Sequence, residues 1–401
     1  MSTAAVSPPI SIISPVKDFL FFFLSAAVVL VAWFASSVMK IDGYTILAAV
    51  AVASNGPHLV STWTRVYFDP REWRSRVVST VLVPILIFGA VLSFNLWLGD
   101  LGPRVLNSTI LYWATWHFVA QNWGILRIYQ RKSGEPLGTM AMKLERPILL
   151  LIVLFCLLHR LYTGPRVLFG VEVLYLKLPY AVVMAVLAPL VVLTGVLLFV
   201  RVKERHHPWS RAAWLRVAFI ACSFLGFFVP FQLIKSDDTS AFAAAACWHG
   251  FQYLGMVRHY NRNVWKQGVD SRARIISWLS QPGWTRGFLY WVLLMALAGV
   301  TYGSAWVLAA LTSGQLQLGV ASAIDVPWLK LFTFLPAWGF FTWAGIVWVS
   351  ATLSHYWIDG VIWKLRKSEL AQRVGIADAQ SATSASTEPS AVDQNASPSA
   401  A

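Results

Sequence analysis

Charge is scarce in this chain, and acid is scarcer than base: 18 Asp and Glu and 32 Lys and Arg make up 12% of 401 residues. A soluble domain carries roughly twice that share of charge. With 57% of the residues apolar, no water-soluble fold could hide the apolar surface. Cysteine is nearly absent. Cys156, Cys222 and Cys247 lie inside apolar stretches, spaced unlike zinc or thiol-redox motifs, so neither a disulfide framework nor a thiolate metal site is indicated and they read as small core residues. The N-terminus lacks the basic start of a secretory signal, and the apolar stretch 19–39 is longer than a signal-peptide core; it is expected to remain as a membrane anchor. No tandem repeat is found.

What the chain does have is apolar runs long enough to span a bilayer, 21 Trp, and basic residues placed between the runs. The net charge of +14 is therefore topological and does not point to nucleic acid. Ten spans are expected, at 18–39, 44–67, 76–98, 105–130, 146–163, 179–201, 212–235, 240–264, 285–312 and 337–366. Lysines and arginines divide 25 against 7 between the two sets of loops, the richer set following the even-numbered spans and including Lys17 before the first. The positive-inside rule then places both termini in the cytoplasm. The expected fold class is all-α, a polytopic transmembrane helical bundle, with a cytoplasmic N-terminal segment 1–17, the bundle 18–366 and a disordered, Ser/Ala-rich cytoplasmic tail 367–401. An integral protein of the bacterial inner (cytoplasmic) membrane is expected. Two apolar segments fall outside the scheme: 164–178, expected to lie at the outer interface or dip back in, and 327–336, expected to be re-entrant before Pro336.

The eight histidines are not scattered in depth. His206 and His207 read as solvated loop residues and His159 as an interfacial hydrogen-bonding residue. His58, His117, His249 and His355 lie on even-numbered spans, seven, ten, nine and nine positions before Arg65, Arg127, Arg258 and Lys364. At about 1.5 Å per residue they occupy one slab roughly 10–15 Å inside the cytoplasmic edge. A single histidine in a bundle is explained by a helix-to-helix hydrogen bond. Four at one depth, on helices running the same way, point instead to a shared metal ion. Polar neighbours one turn away supply what bound imidazoles need to fix their rings: Asn55 and Thr62 beside His58, Gln121 and Asn122 beside His117, Gln252 and Tyr253 beside His249, and Asp359 beside His355. Asp359 and Tyr253 are the candidates for chemistry next to the ligands. An ionisable Asp359 within an apolar stretch is costly unless a cation offsets it. Imidazole with carboxylate and no thiolate favours iron, with zinc, copper or manganese behind it, and one histidine per helix suits a compact ion better than a haem. His259, about 15 Å further along the axis than His249, is too far to share the ion and reads as a gate at the cytoplasmic mouth or an interfacial residue.

At these residues the sequence resembles the Brp/Blh family of membrane β-carotene 15,15′-dioxygenases. Pro57-His58, His117-Phe118, His249, and His355 with Asp359 stand in the order of that family's short motifs. The resemblance implies a non-haem Fe(II) centre held by histidines, a long apolar cleft, O₂ as co-substrate, and an isoprenoid or lipid substrate. The chain departs from the pattern at Tyr253, where the family has a second histidine, and at Thr62 or its neighbours, where it has an acidic residue. The histidine boxes of membrane fatty-acid desaturases and hydroxylases are absent.

The expectation drawn from all this is a membrane-embedded metal-dependent oxidoreductase or oxygenase acting on a membrane lipid or other hydrophobic small molecule. Trp116, Trp123, Phe251 and Trp357 are expected near the cluster. The alternative is a proton- or metal-ion-coupled transporter using the His/Asp cluster as its pathway, and a third class is an assembly or lipid-binding protein without chemistry. Substrate, metal and oligomeric state are not written in the sequence.

Overall fold

The computed structural model describes residues 10–164, 166–207, 210–235, 238–312, 340–364 and 368–374. Expectations on 1–9, 327–336 and 375–401 lie outside the described residues. Helix dominates, and its starts are marked by side-chain caps: Ser14, Asp42 and Thr139 each accept a backbone N–H of the turn that follows. Hydrogen bonds from Thr45 hold the Asp42 carboxyl below its usual range.

Among the described residues ten long helical bodies follow one another. They are α1 (Pro15–Val38), α2 (43–66), α3 (Val78–Trp97), α4 (Leu101–Lys132), α5 (Met140–Thr163), α6 (Tyr180–Lys203), α7 (Ser210–Leu233), α8 (Asp238–Val264), α9 (Trp284–Thr312) and α10 (Phe340–Ile362). Each overlaps one of the apolar runs of the sequence. Five of them, α1, α3, α6, α7 and the Trp284–Ala305 part of α9, are long and apolar enough to cross a membrane. Ile85, Leu86, Val191, Phe199 and Val300 are exposed on α3, α6 and α9, apolar outward faces that suit lipid better than water. The histidine-bearing helices α2, α4, α8 and α10 are not among the five; inward-facing polar residues dilute their apolar content.

The middle of the bundle is α8, whose residues Ala243–Ala246 and Trp248 are buried and which packs against α1, α2 and α7, while α10 packs against α3, α4 and α9. Proline shapes the approach to the centre. Pro57 lacks an N–H and its ring crowds the carbonyl four residues earlier, and the wide turn Ala51–Asn55 immediately before it takes up the mismatch. The same device, Val78–Leu82, precedes Pro84 in α3. Gly250 faces the first of these turns. A Cβ at Gly250 would lie 3.2 Å from Ser54 Oγ and 3.4 Å from His58 Cβ, so glycine lets α8 lie close on α2 where the histidines are.

At the ends of α5, α6 and α7 a fully buried quartet joins Glu145, Arg201, Arg216 and Glu135, the last from the loop after α4. Arg201 Nη2 and Arg216 Nε donate to Glu145 Oε1 at 2.9 and 3.0 Å, and Arg216 Nη2 donates to Glu135 Oε1 at 2.7 Å. Neither acid nor base could sit there alone.

The described residues are mostly helical, as expected; 166–178 adds a short hairpin of β1 (Val167–Leu168) and β2 (Val171–Glu172) turning through Phe169 and Gly170, both with positive φ. It docks on the first half of α4, where Asn107 Nδ2 donates to the Leu168 carbonyl and Ser108 Oγ accepts from Leu174 N. An unpaired extended backbone is thereby satisfied. The segment expected to be a disordered tail from 367 begins with a short helix, Ser368–Arg373, which buries Leu370, Ala371 and Val374. Arg373 donates to Glu72 Oε1 at 2.9 Å and to Tyr260 Oη at 2.5 Å, contacts that a reading of local composition does not contain.

Candidate metal centre

His58 of α2, His117 of α4, His249 of α8 and His355 of α10 meet inside the bundle, all buried. Ring centroids lie 4.4 Å apart for His58 and His355, 4.9 Å for His58 and His249, 4.8 Å for His117 and His249, and 5.1 Å for His117 and His355. Asp359, one turn beyond His355, completes the group. Ligand atoms of His58, His117 and His249 lie within 4.8 Å of one another, as do those of His117, His355 and Asp359, so His117 belongs to both triads. Phe118 and Tyr356 wall the cluster, 4.3 Å from His249 and 4.6 Å from His117 between centroids.

Hydrogen bonding orients the carboxylate side. Tyr253 Oη donates to Asp359 Oδ1 at 2.6 Å, and Thr62 Oγ1 lies 3.1 Å from the same oxygen and 2.8 Å from His355 Nδ1. An ionised Asp359 only accepts. With the Thr62 proton on Asp359 or on Tyr253 Oη, 2.7 Å away, the Thr62 oxygen can accept from His355 Nδ1–H, the tautomer that leaves the lone pair on His355 Nε2. That nitrogen faces Asp359 Oδ2 at 3.8 Å, and so does His117 Nε2 at the same distance. Neither nitrogen nor Asp359 Oδ2 has a hydrogen-bond partner, and the same holds for His58 Nδ1 and both ring nitrogens of His249. Such a concentration of buried polar atoms without partners is costly, and a cation bound by the lone-pair nitrogens and the carboxylate would remove much of the cost. Donor atoms about 2.0–2.2 Å from one ion lie at most roughly 4.4 Å apart, so a contraction of a few tenths of an ångström within either triad would let it hold a metal ion.

The polar neighbours divide into two groups. Thr62 and Tyr253 touch the cluster as described. Gln121 instead donates to the His249 carbonyl and to Gln252 Oε1, Gln252 donates to Asn122 Oδ1, and Asn122 donates to the Phe118 carbonyl. These three amides tie α4 to α8 through one another and through backbone carbonyls, and none of these bonds goes to an imidazole nitrogen. Asn55 makes no hydrogen bond to a ring; with His58, Thr352 and His355 it borders a cavity of about 10 Å³, room for one water-sized molecule. His259 lies away from the cluster and does not line the large cavity described below; its Nε2 is 3.1 Å from Asn263 Nδ2, which donates to the Arg373 carbonyl. His159 bonds Gln232, and His206 and His207 are exposed.

Arg65 and Trp363 were not expected at the site. Trp363 Nε1 donates to Tyr253 Oη at 3.1 Å, and the buried Arg65 guanidinium is stacked between the rings of Tyr260 and Trp363 at 4.1 and 3.9 Å. Read along the chain, Arg65 is one more loop cation. Only the meeting of α2, α8 and the end of α10 makes it the floor under Trp363.

A cavity of about 510 Å³ reaches the cluster at His117, Tyr253 and Asp359 and runs between α4 and α10. Trp113, Trp116, Trp357 and Trp363 line it, and Trp116 and Trp357 are exposed on the outer surface of the bundle. Of the aromatics expected there, Trp123 faces Arg127 and Arg146 instead, and Phe251 packs with Ile46 and Val50.

Fold and site together define a helical bundle with apolar outer helices and a buried histidine–carboxylate cluster at the end of an aromatic cavity. No family model, no curated protein and no solved structure matches the chain.

Proposed function

We propose that this chain is a membrane-embedded, metal-dependent oxidoreductase or oxygenase whose substrate is a lipid, isoprenoid or other hydrophobic molecule reaching the centre through the tryptophan-lined cavity. In this reading all ten helical bodies span the bilayer, both termini are cytoplasmic, the membrane is a bacterial inner membrane, and the likeness to the Brp/Blh dioxygenases extends to a ferrous centre. The observation that carries it is the opposition of His117 Nε2, His355 Nε2 and Asp359 Oδ2, three buried atoms without hydrogen-bond partners, at the inner end of the cavity.

His58, His117, His249, His355 and Asp359 would hold the ion, with Fe(II) first and other divalent metals behind it. A bound ferrous ion would supply O₂ activation. The chain's own residues do the rest. Thr62 fixes the tautomer of His355, Tyr253 holds its proton on Asp359 Oδ1 and so keeps Oδ2 turned to the histidines, and Phe118 and Tyr356 exclude water from the rings. The apolar wall of the cavity binds and orients a chain-like substrate against His117.

Elemental analysis of protein purified in detergent under low oxygen tests the centre. About one metal per chain, removed by a chelator together with activity, is the expected result; folded protein that neither carries nor takes up metal overturns it. A transporter using the same cluster as an ion path is the second reading, and the Asp359 variant described in the Discussion separates the two.

A further inference from the structure

The large cavity has two chemically different ends. Its inner end carries Asp359, and Lys364, just past α10, stands at the other. The α4 wall of the cavity runs from Trp113 to Ile128, and its stretch from His117, beside Asp359, to Ile128 is about 16 Å of helix. Ala120 and Gly124, one turn apart, leave a trough along that face, and a Cβ at Gly124 would meet nothing within 4 Å. Between its polar ends, a trough of that length walled by Ala120, Gly124, Ile125, Ile128 and Val361 suits an extended hydrocarbon chain.

Lys364 is exposed and has no ion-pair or hydrogen-bond partner among the described residues, whereas the cations around it are engaged. Arg65 is stacked between two rings and donates to the Ile362 carbonyl, Arg373 is paired with Glu72, and Arg127 donates to Gln130. Among the described residues Lys364 is the one lysine or arginine lining the cavity, so an anionic head finds its ion pair there and its chain is left to the apolar wall.

Resting on the reading of this cavity as the substrate's place, we propose that the substrate is a long-chain fatty carboxylate, its carboxylate held at Lys364 and its chain lying along Ala120 and Gly124 with the far end towards His117. A neutral chain of the same length would lack the anchor.

Equilibrium binding of radiolabelled palmitate and hexadecanol to chelator-treated, detergent-purified full-length protein tests this without requiring a bound metal. Wild type is expected to bind palmitate saturably and more tightly than hexadecanol. Lys364→Ala should weaken palmitate about 10–100-fold, the worth of one charge-assisted hydrogen bond, and leave hexadecanol unchanged. Lys364→Arg should keep the preference, and Lys177→Ala, at an exposed lysine outside the cavity, should change nothing. Gly124→Leu, which enters open space and spares the fold, should weaken both ligands. Equal affinity for the two ligands, no saturable palmitate binding, or indifference of palmitate to Lys364→Ala overturns the proposal. Because metal content is measured separately, a protein that binds palmitate as expected but holds no metal refutes only the metal centre, and a metalloprotein with no carboxylate preference refutes only the fatty carboxylate.

Discussion

Asp359 sits where three hydrogen-bonding decisions meet: Tyr253 and Thr62 donate to one carboxylate oxygen, and the other is turned to two imidazole nitrogens. Asp359→Asn keeps the volume and a carbonyl but replaces an anionic oxygen by a donor or a neutral acceptor. If the cluster holds an ion, metal affinity measured by chelator competition should fall about 10–100-fold, with the fold retained. If instead the group carries protons through a transport cycle, metal affinity stays the same while pH-driven flux in reconstituted vesicles disappears. Unchanged affinity and unchanged flux together remove both roles. The i, i+4 spacing of His355 and Asp359 is visible in the sequence, as is Thr62 one turn from His58, because neighbours on one helix face are set by helical period. The stacking of Arg65 and the amide links of Gln121, Asn122 and Gln252 are not, since their partners come from other helices.

Among elements, the buried quartet shows how polar groups hold helix ends together. Glu145 receives both Arg201 and Arg216 and a further hydrogen bond from Gln130 at 2.6 Å. Glu145→Gln removes the one carboxylate that accepts from both Arg201 Nη2 and Arg216 Nε, leaving these buried guanidinium groups to Glu135 and the partly exposed Glu204, and a loss of up to about 3–5 kcal/mol of stability is expected, read as a lowered unfolding midpoint in detergent. Metal content per folded chain should not change, because the quartet belongs to α5, α6 and α7 and the ligands to α2, α4, α8 and α10. An unchanged midpoint would mean that water or detergent reaches these charges. Helix boundaries in this region follow from apolar length and the basic residues that end each run; the quartet does not, because Glu135 and Glu145 are separated from Arg201 and Arg216 by a whole helix or more.

For the whole molecule, orientation is the property the basic residues argue for most directly. Single cysteines placed at 201–207 and 265–283 should react with a membrane-impermeant reagent only when the cytoplasmic face is open, and cysteines at 166–178 only from the opposite face. The reverse pattern would invert the topology, and labelling of all three from one side would remove α6 from the set of spanning helices.

Helical class, the apolar runs and the shared depth of His58, His117, His249 and His355 are properties of the sequence by itself, because hydropathy and the rise of a helix act within one segment. Depth says nothing about which way each helix is turned. The convergence of the four rings needs the wide turn before Pro57, the absent side chain at Gly250 and the packing of α8 on α2, and only the tertiary structure settles those rotations. The same reason accounts for the cavity between α4 and α10, the hairpin at 167–172 and the helix Ser368–Arg373: each exists through contacts between residues far apart in the chain, which local pattern does not encode.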